Sequence, residues 1–163
     1  KGAKRVGIIG GLPRLSTTKE RISAYQQAVA DCGLPADESL ILYGNSMENS
    51  VQSCLDELLE QKCDAIVVCQ GLMASETIIY LHQKGIQLAR DIDLVSFVDY
   101  DSNFYELYSG QMDCIVQPAE ELGKAAGEQI LSRIENPDAP VFEKVLTSAY
   151  RPYDNPAGWA GKK

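Results

Sequence analysis

The sequence predicts a doubly wound α/β fold, in which helices flank a parallel β-sheet. Short apolar runs alternate along the chain with longer segments of helical periodicity, as strand and helix repeats do. The apolar runs are continuous, which is typical of parallel strands buried on both faces. With 163 residues, of which 45% are apolar, the chain is long enough to bury one core of this kind.

The first two strand and helix pairs lie in the first third of the chain. Residues 5–10 form an apolar, glycine-ended strand, and Thr17 and Thr18 are good N-cap residues for the helix that follows. Gly33 ends this helix, because glycine accepts the left-handed conformation there. Residues 40–43 predict the second strand. The second helix is strongly periodic, with apolar residues at Val51, Cys54, Leu55, Leu58 and Leu59.

The middle of the chain continues the same alternation. Residues 65–69 predict the third strand, and a helix after it ends at Gly85. Residues 94–98 predict the fourth strand, which ends at Asp99. The apolar residues of the third helix are Ile78, Ile79 and Leu81.

The last third has a different character. Residues 100–110 predict an aromatic and polar loop, and residues 114–116 predict a short extended segment. Pro118 suits the start of a long amphipathic helix that stops at the Asn-Pro pair of residues 136 and 137. Residues 141–147 predict a last strand, and a tail rich in proline and glycine follows it.

A sheet of this type predicts where a ligand binds. The carboxyl ends of parallel strands meet at one edge, where loops converge and helix N-termini present free N–H groups. We therefore expect a site among the loops at residues 11–21, 44–49, 70–74 and 99–103. The glycines of residues 7–11 lack the spacing of a nucleotide-binding loop.

The charge distribution argues against DNA binding by this segment. The formal net charge is −8, and five of the fifteen basic residues lie at the two ends of the chain, so the body between them is more acidic still. Such a body repels a phosphate backbone. These terminal basic residues are Lys1, Lys4, Arg5, Lys162 and Lys163.

Cysteine usage and hydropathy indicate a cytoplasmic protein without a metal site. The five cysteines are odd in number and form no C-x-x-C pair, which favours a reducing compartment and argues against zinc. The longest apolar runs are far shorter than the roughly 20 residues of a membrane span. We expect no cofactor, no metal and no membrane partner.

Three stretches resemble the effector-binding core of the lactose- and galactose-repressor (LacI/GalR) family, from its middle strand to its C-terminus. The first comprises residues 10–11 and 17–21 with Tyr25, a glycine-ended strand, polar loop and helix-borne arginine. The second is residues 91–99, which are similar to the family's D-I-S-V-V-G-Y-D segment. The third is residues 117–118, ahead of the long amphipathic helix.

The resemblance implies an effector site. Arg21 matches the family's arginine that hydrogen-bonds effector hydroxyls, Asp99 matches its effector-contacting aspartate, and Gln117 falls where the family carries a polar contact. From the residues alone, each has a structural alternative. An exposed helix arginine is normally only solvated, a carboxylate at a strand end can cap a turn, and an amide can satisfy loop backbone groups.

Three more polar residues complete the predicted site: Thr17, Asn45 and Gln70. Gln70 departs from the family, which usually has an Asn-Asp pair after this strand. Asn45 stands where some sugar-binding relatives place a stacking aromatic. The segment Met112-Asp113-Cys114 also replaces the family's P-L-T-T crossing sequence.

The resemblance also implies an architecture, a periplasmic-binding-protein-like type I fold of which this chain is mainly the C-terminal lobe. Residues 1–117 correspond to that lobe, residues 118–150 to a helix and strand of the N-terminal lobe in the intact protein, and residues 151–163 to a tail. The helix-turn-helix headpiece lies outside the sequence, so the chain is expected to be truncated. We expect an oligomer, with residues 74–81 as a candidate dimer interface.

The function implied is that of a sensor for a sugar or small polar metabolite in a transcription regulator, with DNA bound only through the headpiece. Two alternatives remain at this point. One is the exported solute-binding protein of a sugar transport system. The other is a cysteine-dependent enzyme, because Cys69 ends a strand before a glycine and a helix. Val67 stands where a nucleophile elbow needs glycine, and the only histidine, His82, lies three turns along its helix.

Overall fold

The computed structural model describes residues 2–48, 50–99, 111–138, 140 and 143–153. The strands are Val6–Gly10 (β1), Ile41–Tyr43 (β2), Ala65–Val68 (β3), Asp93–Asp99 (β4), Asp113–Gln117 (β5) and Ala149–Arg151 (β6). The α-helices are Ser16–Asp31 (α1), Ser50–Glu60 (α2), Gly71–Gln83 (α3) and Ala119–Glu135 (α4), and two short 3₁₀ helices span Glu38–Leu40 and Ser46–Glu48. The predicted alternation of strands and helices is confirmed.

The strands form one sheet in the order β2-β1-β3-β4-β5-β6. All neighbours from β2 to β5 pair in parallel, and only β6 is antiparallel. The chain therefore winds outward from β1 in both directions, as in a doubly wound fold. This order opens a crevice between the carboxyl ends of β1 and β3, where the direction of winding reverses.

The larger core lies between the sheet and helices α2 and α3. Its members include Leu55 and Leu58 from α2, Leu81 from α3, and Ile66 and Leu94 from the sheet, all 2% exposed or less. Burying each such side chain contributes roughly 1.5–3 kcal/mol relative to exposure. The periodic apolar residues of the sequence thus form the faces that were predicted to be buried.

The opposite face of the sheet is only partly covered by the residues that the structure describes. Helix α1 packs over β1 and β2 through a small cluster that includes Ile8, Ile22 and Cys69. Beyond α1, apolar side chains of β3, β4 and β5 remain half-buried and line a groove with a volume of about 550 Å³. The prediction of helices on both faces is therefore correct for β1 and β2, while this groove is an open part of the sheet.

The helix ends agree with the sequence except at the start of α1. Gly33 and Gly85 have φ angles of +68° and +73°, so both adopt the left-handed conformation predicted for them. The proposed capping by Thr17 and Thr18 is wrong, because α1 already begins at Ser16 and its N-cap, Leu15, makes no side-chain capping bond. The backbone bond from Lys19 N to the Leu15 carbonyl starts the helix instead.

The C-terminal strand also differs from the prediction. Residues 143–147 form no strand, and the last strand is Ala149–Arg151 beside β5. The physical reason is a tertiary anchor, because the buried Asp113 of β5 accepts a hydrogen bond of 2.8 Å from the Tyr150 hydroxyl and one of 2.6 Å from the Tyr153 backbone N–H. The loop predicted at residues 100–110 lies outside the described residues.

Helix α4 stands apart from the two cores. It begins after its N-cap residue Pro118, as predicted, but none of its residues is buried. Its large apolar side chains are exposed by 57–70%: Leu122, Ile130, Leu131 and Ile134. Within the described part of the chain, no helix has the length and apolar character needed to cross a membrane.

Candidate functional site

The candidate site lies at the carboxyl edge of the sheet, on the side that α1 covers. Strand β1 ends at Gly10 and is followed by Gly11, β3 is followed by Cys69 and Gln70, and β5 ends at Gln117. The parallel pairing brings these ends together. Helix α1 begins just beyond β1, so its first turns lie over the same edge.

Arg21 is the centre of this arrangement. Its Nη1 donates to the carbonyl oxygen of Cys69, and its Nη2 donates to Gln117 Oε1 at 2.9 Å. The guanidinium carbon also lies 3.9 Å from the centre of the Phe97 ring. The Arg21 cation is therefore held in place by residues of β4 and β5 and by the residue after β3. A guanidinium has five N–H donors, and these two bonds engage only two of them.

The glycine at the end of β1 makes room for a polar side chain. A Cβ atom at Gly11 would lie 2.5 Å from Gln70 Nε2 and 3.2 Å from Thr18 Oγ1. Real Cβ atoms do not approach that closely, so Gln70 occupies its place only because residue 11 is glycine. Thr18 itself is only 3% exposed. Gln70 and Thr18 thus meet at the end of β1, one helical turn from Arg21.

The structure brings together some of the residues predicted for the site. Arg21 and Gln117 share a hydrogen bond, and Gln70 follows directly after the carbonyl that Arg21 binds. The backbone of Asp99 pairs in register with Gln117. Thr17 is exposed, whereas the next residue, Thr18, is buried. The assignment of these residues to effector binding stays a prediction.

Asn45 has an evident structural role. Its backbone N–H donates to Ser50 Oγ at 2.8 Å, and its Oδ1 accepts a bond of 3.0 Å from the backbone N–H of Met47. These contacts order the turn between β2 and α2. A polar loop residue that satisfies nearby backbone and hydroxyl groups in this way has a structural role. An effector role for Asn45 remains only a prediction.

Sequence reasoning missed two contributors to the site, Phe97 and Thr18. Phe97 stands two residues before the end of β4, one period of a strand, and this spacing was a usable signal. Thr18 precedes Arg21 by three residues, which places both on one side of a helix. The contact of Cys69 with Arg21 is made by a backbone carbonyl, which leaves no signal in the sequence.

The two groups considered for catalysis, the Cys69 thiol and the His82 imidazole, do not lie in surroundings that would activate them. Cys69 is 1% exposed, and burial raises the pKa of its thiol to about 11. A thiol of this kind stays protonated at neutral pH and is a poor nucleophile. His82 is exposed on α3. Among the described residues, no three His, Cys, Asp or Glu side chains are grouped closely enough to hold a metal ion.

Comparison with known proteins places the chain in a family. Residues 1–151 match the family model of the periplasmic binding protein-like domain. The HTH-type transcriptional repressor PurR of Vibrio atlanticus is 26% identical over 140 residues, which are 85% of this chain and 41% of that protein. The ribose operon repressor of Haemophilus influenzae is 27% identical over 140 residues, 84% of this chain and 41% of that protein. The chain thus spans about two fifths of the length of these relatives.

Solved structures agree with the sequence relatives. The transcriptional regulator CelR in complex with cellobiose has a TM-score of 0.80 and 25% identity, covering 91% of this chain and 46% of that one. A LacI-type regulator from Bacillus cereus subsp. cytotoxis shares the fold with a TM-score of 0.81, at 21% identity and coverage of 94% and 55%. The chain therefore belongs to the periplasmic-binding-protein-like domain family, in the branch that LacI/GalR regulators use as their effector-binding domain.

Proposed function

We propose that this chain is the effector-sensing part of a cytoplasmic transcription regulator, and that its ligand binds at the carboxyl edge of the sheet around Arg21. The observation that carries the proposal is the fixed guanidinium of Arg21 at the carboxyl ends of β3, β4 and β5. A cation held there by Gln117, Phe97 and the Cys69 carbonyl can donate its other N–H groups to a ligand without reorganising.

The proposed ligand is a sugar or another small polar metabolite. Arg21, Gln70 and Gln117 offer N–H donors and amide oxygens, which suit the hydroxyls of such a molecule. One similar structure contains cellobiose, and one relative is named as a ribose operon repressor. Both observations support a sugar, and neither identifies the ligand of this chain.

The proposed regulation is allosteric. An effector changes DNA binding only if its affinity differs between two states of the regulator. Residues 118–150 are assigned to the N-terminal lobe in the intact regulator, so a ligand touching Gln117 acts directly beside the crossing between lobes. DNA binding is assigned to a headpiece outside this chain, since the net charge of −8 disfavours contact with phosphates.

The proposed regulator is a homodimer or higher oligomer, with residues 74–81 as the candidate interface. This part of α3 includes Ile79, which is 55% exposed although it is apolar. Ile78, His82 and Gln111 line an adjoining cleft on the same surface. An exposed apolar side chain beside a cleft is a common feature of subunit contacts.

Site variants test the proposed function. Binding of cellobiose and ribose to the native polypeptide would be measured by calorimetry, followed by a wider panel of sugars if neither binds. Arg21→Ala and Asp99→Ala should each weaken binding of the sugar that binds by roughly 1–3 kcal/mol, about 5- to 150-fold, as lost hydrogen bonds to charged groups do. Arg90→Ala is the matched control, because Arg90 is exposed and precedes the amino end of β4, at the opposite edge of the sheet. Unchanged affinity in both site variants would remove this assignment.

A further inference from the structure

The ring of Phe97 faces the cation of the candidate site. Its centre lies 3.9 Å from the guanidinium carbon of Arg21, well within the range of a cation–π contact. Phe97 is half-buried, in contrast to the fully buried alternate residues Ser96 and Val98 of the same strand. The Phe97 side chain thus stands on the α1 side of the sheet, where it meets Arg21.

The three contacts of Arg21 fix different degrees of freedom. The hydrogen bonds to the Cys69 carbonyl and to Gln117 Oε1 set the direction of the guanidinium in its own plane. The Phe97 ring lies over the guanidinium carbon, with its centre 3.9 Å away, and so restricts tilting of that plane. Without a ring, two hydrogen bonds would still allow the group to rock about the axis that joins them. The aromatic face is therefore the contact that stops this motion.

We propose that Phe97 is a positioning residue, which holds the Arg21 guanidinium flat and preorganised before a ligand arrives. This inference rests on the proposed function for its biological meaning, but the geometry itself requires no ligand. A long arginine side chain loses rotamer freedom when it binds, and a side chain that is already ordered does not lose it again. Phe97 would thus contribute to affinity without touching the effector.

A purely structural role for Phe97 predicts something different. If the ring only fills space between α1 and the sheet, then leucine, which is apolar and nearly as large, should replace it with little effect on Arg21. If the ring is a platform for the cation, Phe97→Leu should release the guanidinium, while Phe97→Tyr, which keeps the aromatic face, should retain it.

The test is nitrogen-detected NMR of arginine side chains in the unliganded chain. In the wild type, the Arg21 Nη protons should give separate resonances, because rotation about the Cζ–Nη bonds is hindered, and the Arg21 Cδ protons should be displaced upfield by the ring. In Phe97→Leu, rotation should accelerate by about 2- to 30-fold, the range that a cation–π contact supplies. Phe97→Tyr should restore the wild-type rates.

Val95→Ala is the matched control, because Val95 lies on the same strand and the same groove but two residues from the ring. It should leave the Arg21 resonances unchanged. Wild-type Cδ protons without an upfield displacement would overturn the proposal even if Phe97→Leu did not fold. Equal rotation rates in wild type and Phe97→Leu would overturn it as well. Failure of every sugar to bind would count against the proposed function alone.

Discussion

The five cysteines differ in burial, and burial decides their chemistry. Cys32 is exposed at the end of α1, while the other four are buried. Burial raises the pKa of Cys63, Cys69 and Cys114 to about 11. Only the thiolate reacts readily, so these residues behave as small apolar side chains at neutral pH.

Thiol titration checks this assignment. One thiol per folded chain should react rapidly with an aromatic disulfide reagent at pH 8, and the other four should react only after unfolding in guanidinium chloride. Cys32→Ser should abolish the rapid phase. Because the pKa of Cys69 is about 11, its reactivity should stay low up to roughly pH 9. Rapid modification of Cys69 in the folded Cys32→Ser chain would contradict the structure.

Gly11 gives a second prediction at the scale of one residue. Gly11→Ala should displace Gln70, because the new Cβ would lie 2.5 Å from Gln70 Nε2. The displaced atom is the end of a flexible side chain, so the free energy of unfolding should change little. The side-chain amide resonances of Gln70 should shift in NMR spectra. Gly123→Ala, where a Cβ meets no atom within 4 Å, should leave them in place.

The residues of the site were predictable to different degrees. Arg21 and Gln70 fall within the loops that the convergence of parallel strand ends selected, whereas Gln117, and the ligand role of Arg21, were indicated by the family resemblance. The stacking of Phe97 on Arg21 depends on side-chain rotamers, which the order of residues does not encode. Asn45 obeyed the same strand-end rule, yet its contacts are those of an ordinary turn.

At the scale of secondary-structure elements, one polar link joins the two helices of the larger core. Asp56 of α2 accepts hydrogen bonds of 2.8 and 2.9 Å from the Tyr80 hydroxyl, and it pairs with Lys84 Nζ at 2.6 Å. The pKa of Asp56 is lowered mainly by the hydrogen bond from Lys84, with a smaller effect from that of Tyr80. The charged carboxylate is therefore the form that the folded state favours.

The pH dependence of this link follows from its sign. A carboxyl group with a lowered pKa stabilises the fold above its unfolded pKa, and this contribution is lost as the pH falls through the folded value. Asp56→Asn should therefore lower the thermal midpoint at pH 7, and the difference from wild type should shrink below about pH 4. Glu57→Gln, an exposed neighbour, is the control. A difference that persists at acid pH would exclude the charge as its cause.

The edge strand β6 depends on a tyrosine and a buried carboxylate. Desolvation of its hydroxyl, and then the hydrogen bond from that hydroxyl to Asp113, raises the pKa of Tyr150 to about 12. The neutral hydroxyl thus stabilises the fold below the ordinary tyrosine pKa, and this contribution disappears as the pH rises through about 12.

Tyr150→Phe tests this anchor. Removing the hydroxyl should cost about 1 kcal/mol at pH 7, since Tyr150 is largely exposed and loses one hydrogen bond to a charged group. Hydrogen exchange of the β6 amides should accelerate more than that of β3. Tyr43→Phe is the control, because Tyr43 is also an exposed strand tyrosine. Equal protection of β6 in both variants would contradict the anchor.

Most elements were predictable from the sequence because their signals are local. Apolar periodicity located α2, continuous apolar runs located β1 and β3, and glycines marked two helix ends. Strand β6 was misplaced because its pairing depends on Asp113, which lies 37 residues from Tyr150 in the chain. Contacts at that separation leave no periodic trace. The start of α1 at Ser16 was missed because a backbone bond, and not a polar cap, begins the helix.

At the scale of the whole molecule, two large apolar surfaces stand out as exposed in the part of the chain that the structure describes. One is the groove beside α1, and the other is the apolar side of α4, where Ile130 is 61% exposed. Exposed apolar surfaces of this kind favour association. The open surfaces explain why we expect the isolated chain to form oligomers.

Sedimentation tests this expectation. At micromolar concentration the 163-residue chain should sediment as a species larger than its monomer mass of 17.9 kDa. Ile130→Lys should shift the population toward monomer, because burying an unpaired charge is costly. Glu128→Lys, which changes an exposed polar residue of the same helix, should not. A wild-type chain that is monomeric under these conditions would contradict the prediction.

The junction of β5 and α4 connects the candidate site to a long helix. Gln117, bound to Arg21, is the last residue of β5, and after Pro118 a helix of 17 residues begins. At about 1.5 Å per residue this helix is about 25 Å long, so a rotation of roughly 10° at its base displaces its far end by about 4 Å. A ligand at the proposed site that turned the base of α4 through the Arg21–Gln117 hydrogen bond would therefore move the far end of the helix by more than a bond length.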